Sequence, residues 1–135
     1  MELLQKAKKS LGQNFLIDKN IINKIVEIGS VDKNKSVVEI GAGYGNLTKV
    51  IATAGPKNIY AIEKDKKLVS FLKNKFKSYN HVKIIDSDVI EFIEKDELKK
   101  NIIVFGNLPY NMSTKILASL ILLKKWPPWY DVLIL

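Results

Sequence analysis

Cysteine is absent from these 135 residues, arginine is absent too, and histidine occurs once, at His81. Without cysteine there is no disulfide framework and no thiolate metal site. A single histidine leaves no basis for a histidine-built zinc centre or a Ser-His-Asp triad, so no metal site is expected. No apolar run approaches the length needed to span a bilayer. The N-terminal "MELLQKAKKS" carries charge with no apolar segment behind it, unlike a secretory signal. The expectation is a cytoplasmic protein with no membrane partner.

What is present is ordinary in bulk and unusual in sign. Apolar residues make up 47% and charged residues 27%, as in soluble globular domains. The length suits one domain, residues 1–135, able to bury a core. The net charge is +8, and all 22 basic residues are lysine. Such an excess favours a polyanionic partner, most commonly nucleic acid, while also suiting a solvated surface. Lysine is a point charge that suits phosphate contacts better than bidentate base reading.

Apolar patterning alternates between two periods. "LIDKNIINKIVEIGS" predicts a helix with Asp18 as N-cap and Gly29 as its stop. "KSVVEIG" predicts a strand, "NLTKVIATAG" a helix closed at Gly55-Pro56, and "KNIYAIE" a second strand. "DKKLVSFLKNKFKSY" predicts an amphipathic helix whose "KNKFK" lysines form a wet face, followed by the strand "HVKIID". "VIEFIEKDELKK" predicts a helix or an irregular crossover. "NIIVFG", "STKILASLILLKKW" and "YDVLIL" complete the series as strand, helix and strand. The alternation implies an α/β fold: a mostly parallel sheet with helices on both faces.

In such sheets ligands lie beyond the carboxyl ends of the strands. The first strand runs into "VVEIGAGYG", where Gly41, Gly43 and Gly45 let the backbone turn and approach a ligand. The second ends at Glu63, a carboxylate suited to accepting from a ribose diol. The third leads to Asp86 and Asp88, either of which can accept from an adenine amine. The glycine spacing is G-x-G-x-G, one residue tighter than the dinucleotide fingerprint, and Glu39 precedes it by two positions. A carboxylate there would repel a pyrophosphate and attract a cationic amino-acid moiety. That combination disfavours an NAD-dependent dehydrogenase and favours S-adenosylmethionine; the alternative for Glu39 is capping of a turn.

"FGNLPYN" follows the fourth strand. Asn107 offers a side-chain oxygen, Pro109 biases Leu108 to an extended backbone and has no N–H, and Tyr110 offers a flat face. Two acceptors and a stacking platform suit a planar ring with an exocyclic amine. Accepting both amine hydrogens would localise the nitrogen lone pair for in-line attack on an activated methyl, with no strong base required.

The chain resembles the S-adenosylmethionine-dependent rRNA adenine N6,N6-dimethyltransferases, especially the bacterial small-subunit (16S) type. The resemblance rests on "KKSLGQNFLID", "VVEIGAGYGNLT", "AIEKD", "DSDVIEF" and "FGNLPYNMSTKIL". It implies a Rossmann-like methyltransferase fold in which Asn14 and Leu16 cover the cofactor, Gly41 lies beneath it and Glu63 holds its ribose. It further implies that Asp88 recognises the cofactor adenine and that Asn107 bridges cofactor and target base, with Leu108, Pro109 and Tyr110 completing the catalytic segment. The implied target is a pair of adjacent adenines in a small-subunit rRNA hairpin loop of the immature 30S particle. The enzyme is expected to be a monomer at full length; the lysine-rich "QKAKKSLGQNF" is the candidate RNA-facing arm, the alternative being a disordered solvated tail. The family pattern continues with two further strands and a small helical domain beyond the fifth strand, where this sequence stops. These 135 residues are therefore expected to hold the parts for binding S-adenosylmethionine and to dimethylate rRNA poorly by themselves. The sister group acting on large-subunit rRNA in macrolide resistance shares the motifs, and an RNA-binding assembly factor without catalysis is the other alternative.

Overall fold

The computed structural model describes residues 17–95, 100–108, 111–124 and 128–135. The β-branched runs form five strands: β1 (Ser36–Ile40), β2 (Asn58–Glu63), β3 (Val82–Asp86), β4 (Ile102–Gly106) and β5 (Val132–Ile134). All described pairings are parallel and the order is β3-β2-β1-β4-β5. The chain winds outward from β1 to β3, then returns to set β4 against the other side of β1. The resulting switch in strand order lies between β1 and β4, the position at whose carboxyl ends ligands bind in such sheets.

Five helices cover the sheet: α1 (Lys19–Gly29), α2 (Asn46–Thr53), α3 (Lys66–Lys75), α4 (Val89–Glu94) and α5 (Ser113–Ile121). Alternate strand residues point to opposite faces, so two cores form. On one face Val37, Ile59, Ile103 and Phe105 pack with Ile22 and Val26 of α1, Leu47 and Ile51 of α2, and Leu72 of α3. On the other, Val38, Ile40, Ile62 and Val104 pack with Ile93 of α4 and Ile116 and Leu120 of α5. Buried on both sides, the central strands are apolar almost throughout, as parallel strands require. Among the described residues no helix is long and apolar enough to cross a membrane.

Three boundaries differ from the sequence expectation, and tertiary contacts lie at each. Asp18 caps α1 as expected, accepting from the N–H groups of Asn20 and Ile21. The left-handed residue that ends the helix is Ser30 (φ 50°), not Gly29. Gly29 instead makes room for the core: a Cβ there would lie 2.4 Å from Phe105 Cζ. Helix α3 ends at Lys75, and Phe76, its C-cap, follows Leu68 and Leu72 into the core. Helix α5 ends at Ile121, where the Tyr130 hydroxyl donates to the Leu120 carbonyl at 2.8 Å; the last two residues of "LLKKW" lie outside the described residues. A continued helix would use that carbonyl for the N–H of residue 124. The segment after β3 resolves as helix over Val89–Glu94.

Candidate active site at the strand ends

The glycine loop after β1 is fastened to the end of β2. The N–H groups of Gly41 and Ala42 both donate to the Ile62 carbonyl, at 2.9 and 3.1 Å. Gly41, Gly43 and Gly45 all have positive φ (71°, 59° and 78°), so the loop depends on their lack of a Cβ. Gly45 adds a steric demand, since a Cβ there would meet Phe76 Cε2 at 2.6 Å and Leu72 Cδ2 at 2.9 Å. Gly45→Ala is expected to destabilise the fold by about 2–4 kcal/mol, combining left-handed strain with overpacking; urea melts compare the two chains.

Glu63 organises the site. Its Oε2 accepts from the Gly43 N–H at 3.0 Å, and its Oε1 accepts from the N–H groups of Lys64 and Asp65, both at 2.9 Å. The residue is buried. Three of roughly four lone-pair positions on a carboxylate are thus filled by backbone donors. The carboxylate ties the glycine loop to the β2 terminus and keeps capacity for a further donor.

Glu39, expected to draw a cationic ligand, is placed differently. It is 2% exposed and accepts from the Thr48 hydroxyl of α2 at 2.5 Å. Burial pushes its carboxyl up to about 8, a rise that the neighbouring Glu63 adds to and that Thr48 and Lys75 oppose. At neutral pH Glu39 is therefore mostly an uncharged group that joins β1 to α2 beneath the loop. A carboxyl lying inside the β1 pleat between two neighbouring strands loses its water, and no property of the linear motif signals this. Thr48, wholly buried, was likewise invisible: it lies nine positions from its partner.

Asp88 is the N-cap of α4, its Oδ1 accepting from the Ile90 N–H at 2.9 Å. Its other oxygen lies 3.7 Å from Lys64 Nζ. Asp86 pairs with Lys66, at 2.7 Å, while Asp88 pairs with Lys64, the residue just after β2. Across the crevice, Asn107 follows β4. A Cβ built on Gly41 would face the Asn107 carbonyl at 4.0 Å, so any side chain at residue 41 would fill the gap between the β1 and β4 ends. That open cradle, flanked by a fixed carboxylate, fits a nucleoside group. The structure thus gathers Gly41, Glu63, Asp88 and Asn107, with Leu108 beside it, at the carboxyl edge. Asn14, Leu16, Pro109 and Tyr110, and the arm "QKAKKSLGQNF", lie outside the described residues. Among the described residues no group of three or more acidic or histidine side chains could hold a metal ion.

A family model described as ribosomal RNA adenine dimethylase matches residues 4–134. The ribosomal RNA small subunit methyltransferase A of Pelagibacter ubique is 48% identical over 130 residues, covering 96% of this chain and 48% of that protein. Its namesake from Nitrobacter winogradskyi is 37% identical over 131 residues, covering 96% of this chain and 46% of that protein. A crystal structure of a dimethyladenosine transferase from Plasmodium falciparum superposes with a TM-score of 0.71 at 26% identity, covering 89% of this chain and 42% of that one. The chain spans about half the length of the curated relatives it matches. Five parallel strands with helices on both faces, a glycine loop bound to the β2 carboxylate and a match along nearly the whole sequence place this chain in the ribosomal RNA adenine dimethylase family, with its Rossmann-like methyltransferase fold.

Proposed function

We propose that residues 1–135 are the S-adenosylmethionine-binding part of an enzyme that dimethylates N6 of two adjacent adenines in small-subunit rRNA. It acts as a cytoplasmic monomer on the immature 30S particle. The observation that carries this reading is the Glu63 carboxylate, held by three backbone N–H groups at the mouth of the crevice. Its one remaining acceptor position suits a ribose hydroxyl, Asp88 suits the cofactor's adenine amine once Lys64 yields, and the bare Cα of Gly41 admits the cofactor between β1 and β4. Asn14 and Leu16 would cover it. When bound, S-adenosylmethionine supplies a methyl group activated by its sulfonium.

The chain's own residues then orient the target. The Asn107 side-chain oxygen and the Leu108 carbonyl accept from the two hydrogens of the adenine N6 amine, which localises its lone pair. Pro109 puts no competing N–H there, and Tyr110 stacks on the base, a contact worth about 1–3 kcal/mol. Extruding the base from its stack costs a few kcal/mol; lysine–phosphate contacts offset this, so binding weakens steeply with salt.

The test is transfer of labelled methyl from S-adenosylmethionine to undermethylated small subunits, by this chain and by a version extended to the length of its relatives. Dimethyladenosine at two adjacent positions is expected with the extended version. Asn107→Ala is expected to lower the single-turnover rate about 100-fold, the scale for removing one transition-state hydrogen bond. Methylation of large-subunit RNA instead would reassign the target, and RNA binding without methyl transfer would reassign the protein to assembly.

A further inference from the structure

The outer turn of the glycine loop is held from a second side. Lys75, the last residue of α3, does not join the wet face expected of "KNKFK": it reaches across to the loop, and Nζ donates to the Tyr44 carbonyl at 2.6 Å. The ammonium lies 5.7 Å from the centre of the Phe71 ring and 5.6 Å from that of Phe76, within cation–π range of both. The Tyr44 ring meets Phe71 edge to face at 5.5 Å. Phe76 and Leu72 also press on Gly45, one residue beyond Tyr44. One surface of α3 thus grips Tyr44-Gly45, while Glu63 grips Gly43 from β2.

We propose that Lys75 is a positioning residue for cofactor binding: its ammonium, braced between Phe71 and Phe76, latches the Tyr44 carbonyl and so fixes the outer half of the loop on which the cofactor rests. This rests on the reading of the crevice as an S-adenosylmethionine site. Its hydrogen bond goes to the Tyr44 backbone carbonyl, so Lys75 acts through the loop. Fixing the turn before the ligand arrives spares the ligand the cost of ordering it. The latch needs the protonated amine, because a neutral amine is a weaker donor and loses the attraction to both rings. The titratable groups bearing on it are Lys49 of α2 and Glu39 of β1, which becomes a charged carboxylate only as pH rises through about 8. Burial lowers the Lys75 pKa, Lys49 lowers it further, and Glu39 opposes both.

The test pairs calorimetric titration of S-adenosylmethionine with the carbonyl ¹³C resonance of Tyr44 followed from pH 6 to 11, in the folded parent, Lys75→Met and Lys75→Arg. In Lys75→Met the affinity is expected to fall about ten-fold, the scale of one charge-assisted hydrogen bond. Lys75→Arg, which keeps the charge and donors, is expected to recover part of it. The Tyr44 resonance should titrate in the parent with a midpoint below the usual lysine range, and lose that step in Lys75→Met. Repeating it in Glu39→Gln removes any step near 8 that belongs to Glu39. A parent that binds S-adenosylmethionine and a Lys75→Met chain that binds it equally well would overturn the proposal. A parent that takes up none overturns the cofactor reading instead. A Tyr44 resonance indifferent to Lys75 overturns the latch whatever the cofactor does.

Discussion

Glu63→Ala is expected to cost at least about 100-fold in S-adenosylmethionine affinity, with a clear loss of stability. The carboxylate receives three backbone N–H groups, and hydrogen bonds to charged groups contribute about 1.5–3 kcal/mol each. They act as a unit, so the losses will not simply add. With the carboxylate gone, the Gly43 N–H loses its partner and the loop loses its tie to β2. Glu63→Gln separates the two roles. The amide keeps one oxygen for the Lys64 and Asp65 donors, and turns an NH₂ towards the Gly43 N–H. It loses the Gly43 tie but keeps the Lys64 and Asp65 bonds, so its stability should lie between those of the parent and Glu63→Ala, and it should still bind weakly. Calorimetry on chains shown to be folded by circular dichroism measures both; an unchanged affinity in folded Glu63→Ala would remove Glu63 from the site.

The second large effect is on stability as a function of pH. Glu39 rises from its ordinary 4.5 to about 8 on folding, chiefly through burial. Between those two values the folded state holds a proton that the unfolded chain gives up. Stability therefore falls as pH rises from about 4.5, and the loss levels off above about 8. At about 1.4 kcal/mol per pH unit across that window, the carboxyl's contribution is on the order of 5 kcal/mol. Glu39→Gln keeps an oxygen to accept from Thr48 and cannot ionise. Its stability relative to the parent should be small at pH 5 and large at pH 9. Urea titrations of both chains at a series of pH values would show this, and parallel curves from pH 5 to 9 would contradict a buried, proton-holding Glu39.

The pattern of legibility follows from which forces act locally. The β-branched runs and their glycine punctuation specify all five strands. Asp18 signals its helix start because an N-cap is an interaction over two or three residues. The shared edge of Gly41, Glu63, Asp88 and Asn107 was legible because a parallel sheet brings successive strand ends to one side. The properties that escaped the linear pattern are those made by contacts distant in sequence. The φ of Gly45 is a local matter, but its packing against Phe76 is not. Glu39 looks like a ligand group until the pleat and Thr48 enclose it. Lys75 looks like one lysine among many until α3 sets it 31 positions away, on the Tyr44 carbonyl. The Tyr130 hydroxyl reaches the Leu120 carbonyl of α5 from ten residues away.

The most direct measurement of the central claim is a calorimetric titration of this chain with S-adenosylmethionine, run beside NAD and beside folded Glu63→Ala. Saturable uptake of one S-adenosylmethionine per chain, negligible uptake of NAD, and loss of the signal in Glu63→Ala are the predicted results. Binding of NAD in preference, or a folded parent that takes up no S-adenosylmethionine, would contradict it.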